Sequence, residues 1–446
     1  MELFGTAGVR GDVDRVRPEL AVLVGRAAAR AADGATFVAG RDGRTTGEGL
    51  VAAATAGLVA GGADVQRVGV VPTPTLAFAS RGRHGLMVTA SHNPPSDNGI
   101  KLFADGVEYD HEREAAVAAG VDETAQADWA AWGAVGREHT LANYCASVVD
   151  YAEDHGASLD GLRVVVDCGN GVATHATPQV LRSLGASVVT LDANVDGHFP
   201  ARGSKPTRES LTALKTLLTA DEDADLGVAH DGDADRIVVV DGAGELVDRN
   251  TILAVLAEYY VRESDATDPV VVTTPDASTR IDERVGAAGG RVERVRLGAI
   301  HEGRAASDGT VVFAAEPWKH LHPGWGGWID GVASAAVVAR LVAESGFDTL
   351  TEPVTERPYR KLSVGCPDDR KAAVMADLRE CLPETFSKAD AAFEHGIRLD
   401  RPDGSWILVR PSGTEPKIRV YCESEDIGSL TDRATALVTE AVERAG

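Results

Sequence analysis

Along this chain, short apolar runs alternate with longer stretches in which alanine, leucine and valine recur at helical spacing, so strand and helix are predicted in turn. The first part reads as a helix from about Pro18 to Ala32, a strand from Thr36 to Gly40, a helix from about Gly47 to Gly61 and a strand from Asp64 to Val70. Gly85-Leu-Met-Val-Thr is a further apolar strand, and it runs into a loop fixed by Pro94, Pro95 and the Asn98-Gly99 turn. The acidic, alanine-rich stretch from Glu112 to Ala131 is expected to be helical. A second α/β unit begins near Ala142, with strands at Leu162 to Asp167 and Ser187 to Leu191 and a helix from Glu209 to Leu218. Between them, Cys168-Gly-Asn-Gly reads as a tight strand-to-helix turn, because Thr174 stands where a dinucleotide fingerprint needs its third glycine. A third unit starts around Gly244, contains the strand Pro269 to Thr273 and ends in the Trp- and Gly-rich loop Trp318 to Gly331. Beyond the turn-rich linker Glu352 to Pro358, Arg360 to Gly446 has the length and alternation of a small α+β domain.

A length of 446 residues exceeds one ordinary core and, at about 100 to 200 residues per domain, fits three or four units. The fold class expected is α/β, with three layered domains built on mixed sheets and a smaller C-terminal α+β domain. No apolar run of about 18 residues and no signal-peptide pattern at Met1-Glu-Leu-Phe-Gly is present, so no membrane span or export is expected and the default location is cytoplasmic. The five cysteines are scattered with no C-x-x-C pair, which argues for reduced thiols and against a zinc knuckle. The net charge is −24, and lysine is confined to eight positions: Lys101, Lys205, Lys215, Lys319, Lys361, Lys371, Lys388 and Lys417. That balance speaks against nucleic acid as a partner and resembles proteins of salt-loving archaeal cytoplasms, whose surface carboxylates keep them soluble. An anionic substrate must then be held by local clusters of Arg, Lys and backbone N–H. In molar salt the Debye length is about 3 Å, which screens the global repulsion.

Three stretches carry chemistry. In Val88-Thr-Ala-Ser-His-Asn-Pro-Pro-Ser-Asp-Asn-Gly-Ile-Lys101, the hydroxyl of Ser91 shares one proline-fixed loop with His92, Asn93 and Lys101, a nucleophile beside proton carriers and an amide donor. A strand ending in a polar turn would look much the same. His230-Asp-Gly-Asp-Ala-Asp-Arg places Asp231, Asp233 and Asp235 between two apolar strands, where three converging carboxylates call for a cation. A calcium loop is excluded, because Arg236 stands at its sixth position and Gly242 at its twelfth. A haloacid-dehalogenase-type D-x-D and a solvated acidic hairpin are the alternatives. Trp406 to Tyr421 is strand, turn, strand. Its turn offers backbone N–H groups and the hydroxyls of Ser412 and Thr414 between Arg410 and Arg419, an arrangement suited to a phosphate dianion.

T-A-S-H-N-P-P followed by N-G-I-K resembles the phosphoserine loop of the α-D-phosphohexomutases, the family of phosphomannomutases, phosphoglucomutases and phosphoglucosamine mutases. The other motifs of that family follow in the same order. Phe4-Gly-Thr-Ala-Gly-Val-Arg-Gly resembles its F-G-T-x-G-x-R-G, D-G-D-A-D-R its D-G-D-x-D-R, and R-P-S-G-T-E-P its distal phosphate loop. The resemblance implies four domains around a central cleft: 1–141 with the phosphoserine loop, 142–243 with the metal, 244–355 for the sugar and 356–446 for the second phosphate. It implies a phosphoryl group carried on Ser91 and lent to a sugar, with His92 and Lys101 moving protons and Arg10 facing the site. Magnesium would be held by Asp231, Asp233, Asp235 and an oxygen of phospho-Ser91, with Arg236 on the phosphate. Arg410, Ser412, Gly413, Thr414 and Arg419 would take the non-reacting phosphate, and a sugar bisphosphate would be the intermediate and activator. The expected ligand is thus a small sugar phosphate, with no nucleic acid or membrane partner. In the sugar loop the family shows G-E-x-S-G-H where this chain has Ala315-Glu-Pro-Trp-Lys-His. Glu316 and His320 keep their spacing as sugar contacts, and Lys319 beside them is a further substrate-binding candidate, but Trp318 and Lys319 replace the small pair, which leaves the choice of sugar open. Mannose, glucose and glucosamine phosphates, a pentose phosphate, a plain magnesium phosphatase and a non-catalytic sugar-phosphate sensor are the readings to separate.

Overall fold

A computed structural model describes residues 3–5, 8–122, 125–413 and 415–446. The chain forms two compact units, 1–252 with 313–351 and 253–312 with 352–446.

The first unit opens with a seven-stranded sheet: β1 (Val9–Gly11), β2 (Phe37–Arg41), β3 (Val65–Val70), β4 (His84–Val88), β5 (Asn98–Ala104), β6 (Val107–Glu108) and β7 (Val135–Arg137). Its order is β1-β5-β4-β2-β3-β7, with β6 paired to β5. β2, β3, β4 and β7 run parallel, while β5 is antiparallel to both β4 and β1. The alanine-rich helices Pro18–Ala31 and Gly47–Ala60 pack against each other so tightly that a Cβ on Gly57 would lie 2.1 Å from the Val22 carbonyl oxygen. Glycine and alanine along this contact allow the backbones to approach, and Val24, Leu50, Leu58, Leu86, Val88, Ile100 and Leu102 fill the core beside it. Val88 lies opposite Ile100 and Met87 opposite Lys101, so the connection from β4 to β5 holds Ser91 close to the sheet.

A second sheet has β8 (Arg163–Asp167), β9 (Ser187–Leu191), β10 (Leu226–Ala229) and β11 (Val238–Asp241) in the order β11-β10-β8-β9. β8, β9 and β10 are parallel; β11 returns antiparallel to β10, and the aspartate-rich loop joins those two. The chain then passes through β12 (Pro269–Thr273) and β13 (Arg291–Arg294), parallel neighbours in the second unit. It comes back to the first unit through β14 (Thr310–Glu316) and β15 (Lys319–Leu321), an antiparallel hairpin. The buried helix Gly331–Ser345 follows, capped by Asp330, whose side chain accepts from the N–H of Val332 and Ala333.

The second unit ends in a five-stranded antiparallel sheet of β16 (Tyr359–Gly365), β17 (Asp390–Ala392), β18 (Ile397–Asp400), β19 (Trp406–Pro411) and β20 (Lys417–Glu423), ordered β16-β20-β19-β18-β17. Helices Lys371–Thr385 and Ile427–Arg444 pack on it through Val374, Leu378, Leu382, Leu430, Ala434 and Val438, which gives the α+β character expected of the C-terminal region. The five cysteines are free, and among the described residues no helix is long and apolar enough to cross a membrane.

Two expected helices differ. Among the described residues of the stretch Glu112 to Ala131, the helix His111–Gly120 and a 3-10 turn at Trp129–Ala131 are helical; the helix ends at Gly120, which lacks helix propensity, with Asp122 just beyond. The helix expected from Glu209 starts at Thr212, because Thr207 and Ser210 tie their side chains to each other's backbone N–H and hold a turn there. The Gly169-Asn170 turn after β8 is as read from sequence, with both residues at positive φ (50° and 57°).

Candidate functional site

Ser91 is fully buried and sits at φ 51°, an uncommon conformation for a side-chain-bearing residue that costs free energy and persists only when the surroundings enforce it. Its N–H donates to Thr89 Oγ1 at 2.9 Å, and its Oγ donates to Asp231 Oδ2 at 2.7 Å with Asp235 Oδ1 at 3.5 Å. The proline loop and the aspartate loop are therefore one site. Ala234, inside the aspartate loop, is also at positive φ (60°), and a Cβ on Gly232 would lie 2.8 Å from the Ser91 carbonyl oxygen, which only glycine permits.

Asp231, Asp233 and Asp235 are buried, with one oxygen from each within 4.8 Å of the others. Asp233 Oδ2 accepts from Thr73 Oγ1 at 2.7 Å and Thr89 Oγ1 at 3.2 Å, whereas its Oδ1 is buried with no hydrogen-bond partner. Three desolvated carboxylates and an unsatisfied oxygen fit a divalent cation with oxygen ligands. The electrostatics agree: burial and the neighbouring charges of Asp235 and Asp233 push the Asp231 carboxyl well above its ordinary range. For Asp235 burial acts in the same upward direction, but Lys101, Lys319 and Arg236 outweigh it and hold the carboxyl below its ordinary range.

The remaining catalytic candidates gather around this triad. Lys101 Nζ donates to Asp235 Oδ2 at 3.1 Å with both groups buried. Burial alone would lower its pKa, but Glu108, Asp235 and Asp233 raise it, so the ammonium stays charged. Arg236 Nε lies 3.5 Å from Asp231 Oδ2 and 3.6 Å from Asp235 Oδ1. His92 is pushed down to about 2 by burial and by the charges of Arg236 and Arg10, so its ring is neutral, and its buried Nδ1 has no partner. Arg10, on β1 opposite Gly99, has Nε and one Nη buried and unbonded.

In the β14–β15 hairpin the expected sugar contacts separate. Glu316 and Lys319 are register partners at its tip. Trp318 packs into the cluster of Leu211, Leu214, Leu218, Val238 and Val240 beneath the second sheet, and its carbonyl accepts from the N–H of Ile237 at 3.3 Å. The indole is half-buried against that cluster, and its Nε1 is buried without a hydrogen-bond partner. His320 lies on the other face of β15, buried beside Phe313 with Nδ1 3.2 Å from Ser334 Oγ, and burial pushes it down to about 3.

In the second unit, Arg410 lies on β19 and Arg419 on β20, with Ser412 and Gly413 in the turn between them; Thr414 lies outside the described residues. Arg410 is register partner to Arg419, and one Nη of Arg410 donates to Tyr421 Oη at 2.8 Å. Arg410 Nε and Ser412 Oγ are buried without partners, the donors an anion would satisfy. Arg419 is engaged with Glu415 at 3.1 Å.

Two residues that sequence reasoning missed shape these loops. Arg44 is completely buried. Its Nε donates to Asp42 Oδ2 at 3.0 Å, one Nη to the carbonyls of Pro94 (2.5 Å) and Asp97 (2.9 Å), and the other to those of Ser91 and Asn93 (2.8 Å each). Lys371 Nζ donates to the carbonyls of Ser412 (2.6 Å) and Glu415 (2.7 Å), which ties the turn in the second unit. Neither motif spacing nor hydrophobic pattern marks them, because both act on backbone carbonyls far away in sequence.

Four family models match this chain: phosphoglucomutase/phosphomannomutase alpha/beta/alpha domain I at residues 1–128, domain II at 142–244, domain III at 248–360 and the C-terminal domain at 365–440. The chain is 40% identical over 439 residues to a protein of Thermococcus kodakarensis named phosphopentomutase, covering 95% of this chain and 94% of that one. It is 39% identical over 455 residues to a protein of Methanopyrus kandleri named "Probable phosphoglucosamine mutase", covering 99% and 98%. The crystal structure of a phosphoglucomutase/phosphomannomutase family protein from Burkholderia thailandensis shares the fold, with a TM-score of 0.86 at 24% identity over 100% of this chain and 97% of that one. With matches along nearly the whole sequence, this chain belongs to the phosphoglucomutase/phosphomannomutase family of α-D-phosphohexomutases, an enzyme of the phosphosugar mutase class.

Proposed function

We propose that this enzyme moves phosphate between the 1- and 6-positions of a hexose phosphate through phospho-Ser91 and a sugar bisphosphate. The observation that carries the reading is the 2.7 Å hydrogen bond from the Ser91 hydroxyl to a buried aspartate triad with an unsatisfied oxygen. Ser91 is the donor and acceptor of the phosphoryl group. Asp231, Asp233 and Asp235 hold magnesium, which when bound would spread charge off that group. Arg236 and Arg10 bear on its oxygens. The neutral ring of His92 takes the proton of the attacking sugar hydroxyl, and the Lys101 ammonium gives one to the leaving oxygen. Arg410, Ser412, Gly413, Thr414 and Arg419 take whichever phosphate is not reacting, so that the bisphosphate can reorient and present either end. Steady-state kinetics with mannose, glucose and glucosamine 1-phosphates, with magnesium and the matching bisphosphate at high salt, test this; no turnover of any hexose phosphate would sink it. A pentose phosphate is the second reading, favoured by the relative of 40% identity named phosphopentomutase, and ribose 1-phosphate belongs in the same panel.

Asp231→Asn, Asp233→Asn and Asp235→Asn are each expected to raise the magnesium needed for half-maximal activity. The rise should exceed the roughly 10- to 100-fold that loss of a mere supporting contact costs at a metal site. Magnesium titrations of activity and of metal binding check this; turnover lost at unchanged metal affinity in all three would remove the loop as the metal site.

A further inference from the structure

The tip of the β14–β15 hairpin carries a cation that no described residue bonds directly. Lys319 is half-buried, and its ammonium makes no hydrogen bond or ion pair with any described residue. Its place is well fixed. Trp318 rests the tip against the core cluster beneath the second sheet, and the Trp318 carbonyl accepts from the N–H of Ile237, the residue after Arg236. On β15 the side chains alternate, so Lys319 faces away from the packing that buries His320. On that side its charge reaches Asp235 and His92. Lys101, by contrast, is already spent on Asp235. In a chain with 68 acidic and 44 basic residues, a half-buried ammonium that no described carboxylate bonds directly is a donor available to an anion. The family pattern G-E-x-S-G-H has no lysine at this point of the loop, and a lysine ammonium is a compact point charge suited to a phosphoryl oxygen.

Resting on the mutase reading above, we propose that Lys319 is a catalytic residue that contacts the phosphoryl group in transit at Ser91, a second cation beside Arg236, and that it does not select the sugar. Charge developing on the three equatorial oxygens during transfer is what such a donor stabilises, whichever sugar hydroxyl attacks.

The test compares the wild type with Lys319→Met, which keeps the length and removes the charge, and Lys319→Arg. Single-turnover transfer from the phosphorylated enzyme to glucose, mannose, glucosamine and ribose 1-phosphates gives the rates. Calorimetry with inorganic phosphate and magnesium on the unphosphorylated protein gives a readout independent of turnover. Lys319→Met is expected to slow transfer by about 100- to 1,000-fold, as loss of one preorganised donor does. It should also weaken phosphate binding about tenfold, while Lys319→Arg recovers much of both. The ratio of kcat/KM between sugars should stay within about twofold. A changed preference with the transfer rate intact would make Lys319 a sugar contact and overturn the proposal, as would unchanged rates and phosphate binding. If the wild type itself transfers nothing from Ser91, the mutase reading fails first; if only the Lys319→Met comparison is flat, this proposal alone fails.

Discussion

Ser91→Ala should abolish mutase turnover, by about 10⁴-fold or more, because it removes the nucleophile of a double-displacement reaction for which no other hydroxyl is placed to substitute. The neighbouring hydroxyls are committed: Thr73 Oγ1 and Thr89 Oγ1 both bond Asp233 Oδ2, and Thr89 also bonds Asp42. The fold should survive. Alanine meets the same positive-φ cost as serine, and the loop is held by main-chain contacts that the substitution leaves alone, from Ser91 N–H to Thr89 and from Arg44 to the Ser91 carbonyl. Intact mass and peptide mapping of the wild type should find phosphate on Ser91, and Ser91→Ala should lack it. Full mutase activity in the variant, or the functional phosphate on another residue, would sink the assignment. Hydrolysis of sugar phosphates that survives in Ser91→Ala would instead favour a magnesium phosphatase that uses only the aspartate loop.

How far the site could be read without coordinates depended on whether a residue acts near its own place in the chain. Ser91 and Lys101 share a β-hairpin, and Asp231, Asp233 and Asp235 share one turn between antiparallel strands, so spacing alone brings each group together. That the two groups meet follows from tertiary packing, which spacing does not encode; the resemblance to the family supplied that step. Arg44 was invisible because its partners are carbonyls some 50 positions away, and any loop offers carbonyls. At Trp318 the sequence leaves the role of the indole open, and the hairpin sets it half-buried against the core cluster beneath the second sheet, next to Lys319 at the tip. The helix expected from Glu209 began three residues late since Thr207 and Ser210 bonded the backbone locally, a competition that a periodicity argument omits.

Arg44→Met is the second large effect expected, and it should appear in stability and turnover together. The guanidinium has five N–H donors, and here all five are used: one on Asp42 and four on the carbonyls of Ser91, Asn93, Pro94 and Asp97. Because Arg44 and Asp42 are both fully buried, methionine would leave the carboxylate of Asp42 without its cation and four carbonyls without donors. Removing one partner of a buried pair costs about 3 to 5 kcal/mol, a large part of the stability of a typical domain. Lysine should not rescue it, since an ammonium on a flexible stem cannot serve carbonyls spread along the loop from Ser91 to Asp97 as a planar fork does. The same loss releases the loop that keeps Ser91 at φ 51°, and displacement of a reacting atom by about 1 Å costs roughly 100-fold in rate. Arg44→Met that still folds at low temperature should therefore show a lower kcat with little change in KM, because Arg44 is sealed from any ligand. Thermal unfolding and steady-state kinetics on one preparation measure both quantities. If the midpoint and kcat of Arg44→Met and Arg44→Lys match the wild type, then Pro94 and Pro95 hold the loop unaided and the clamp has no part in placing the nucleophile.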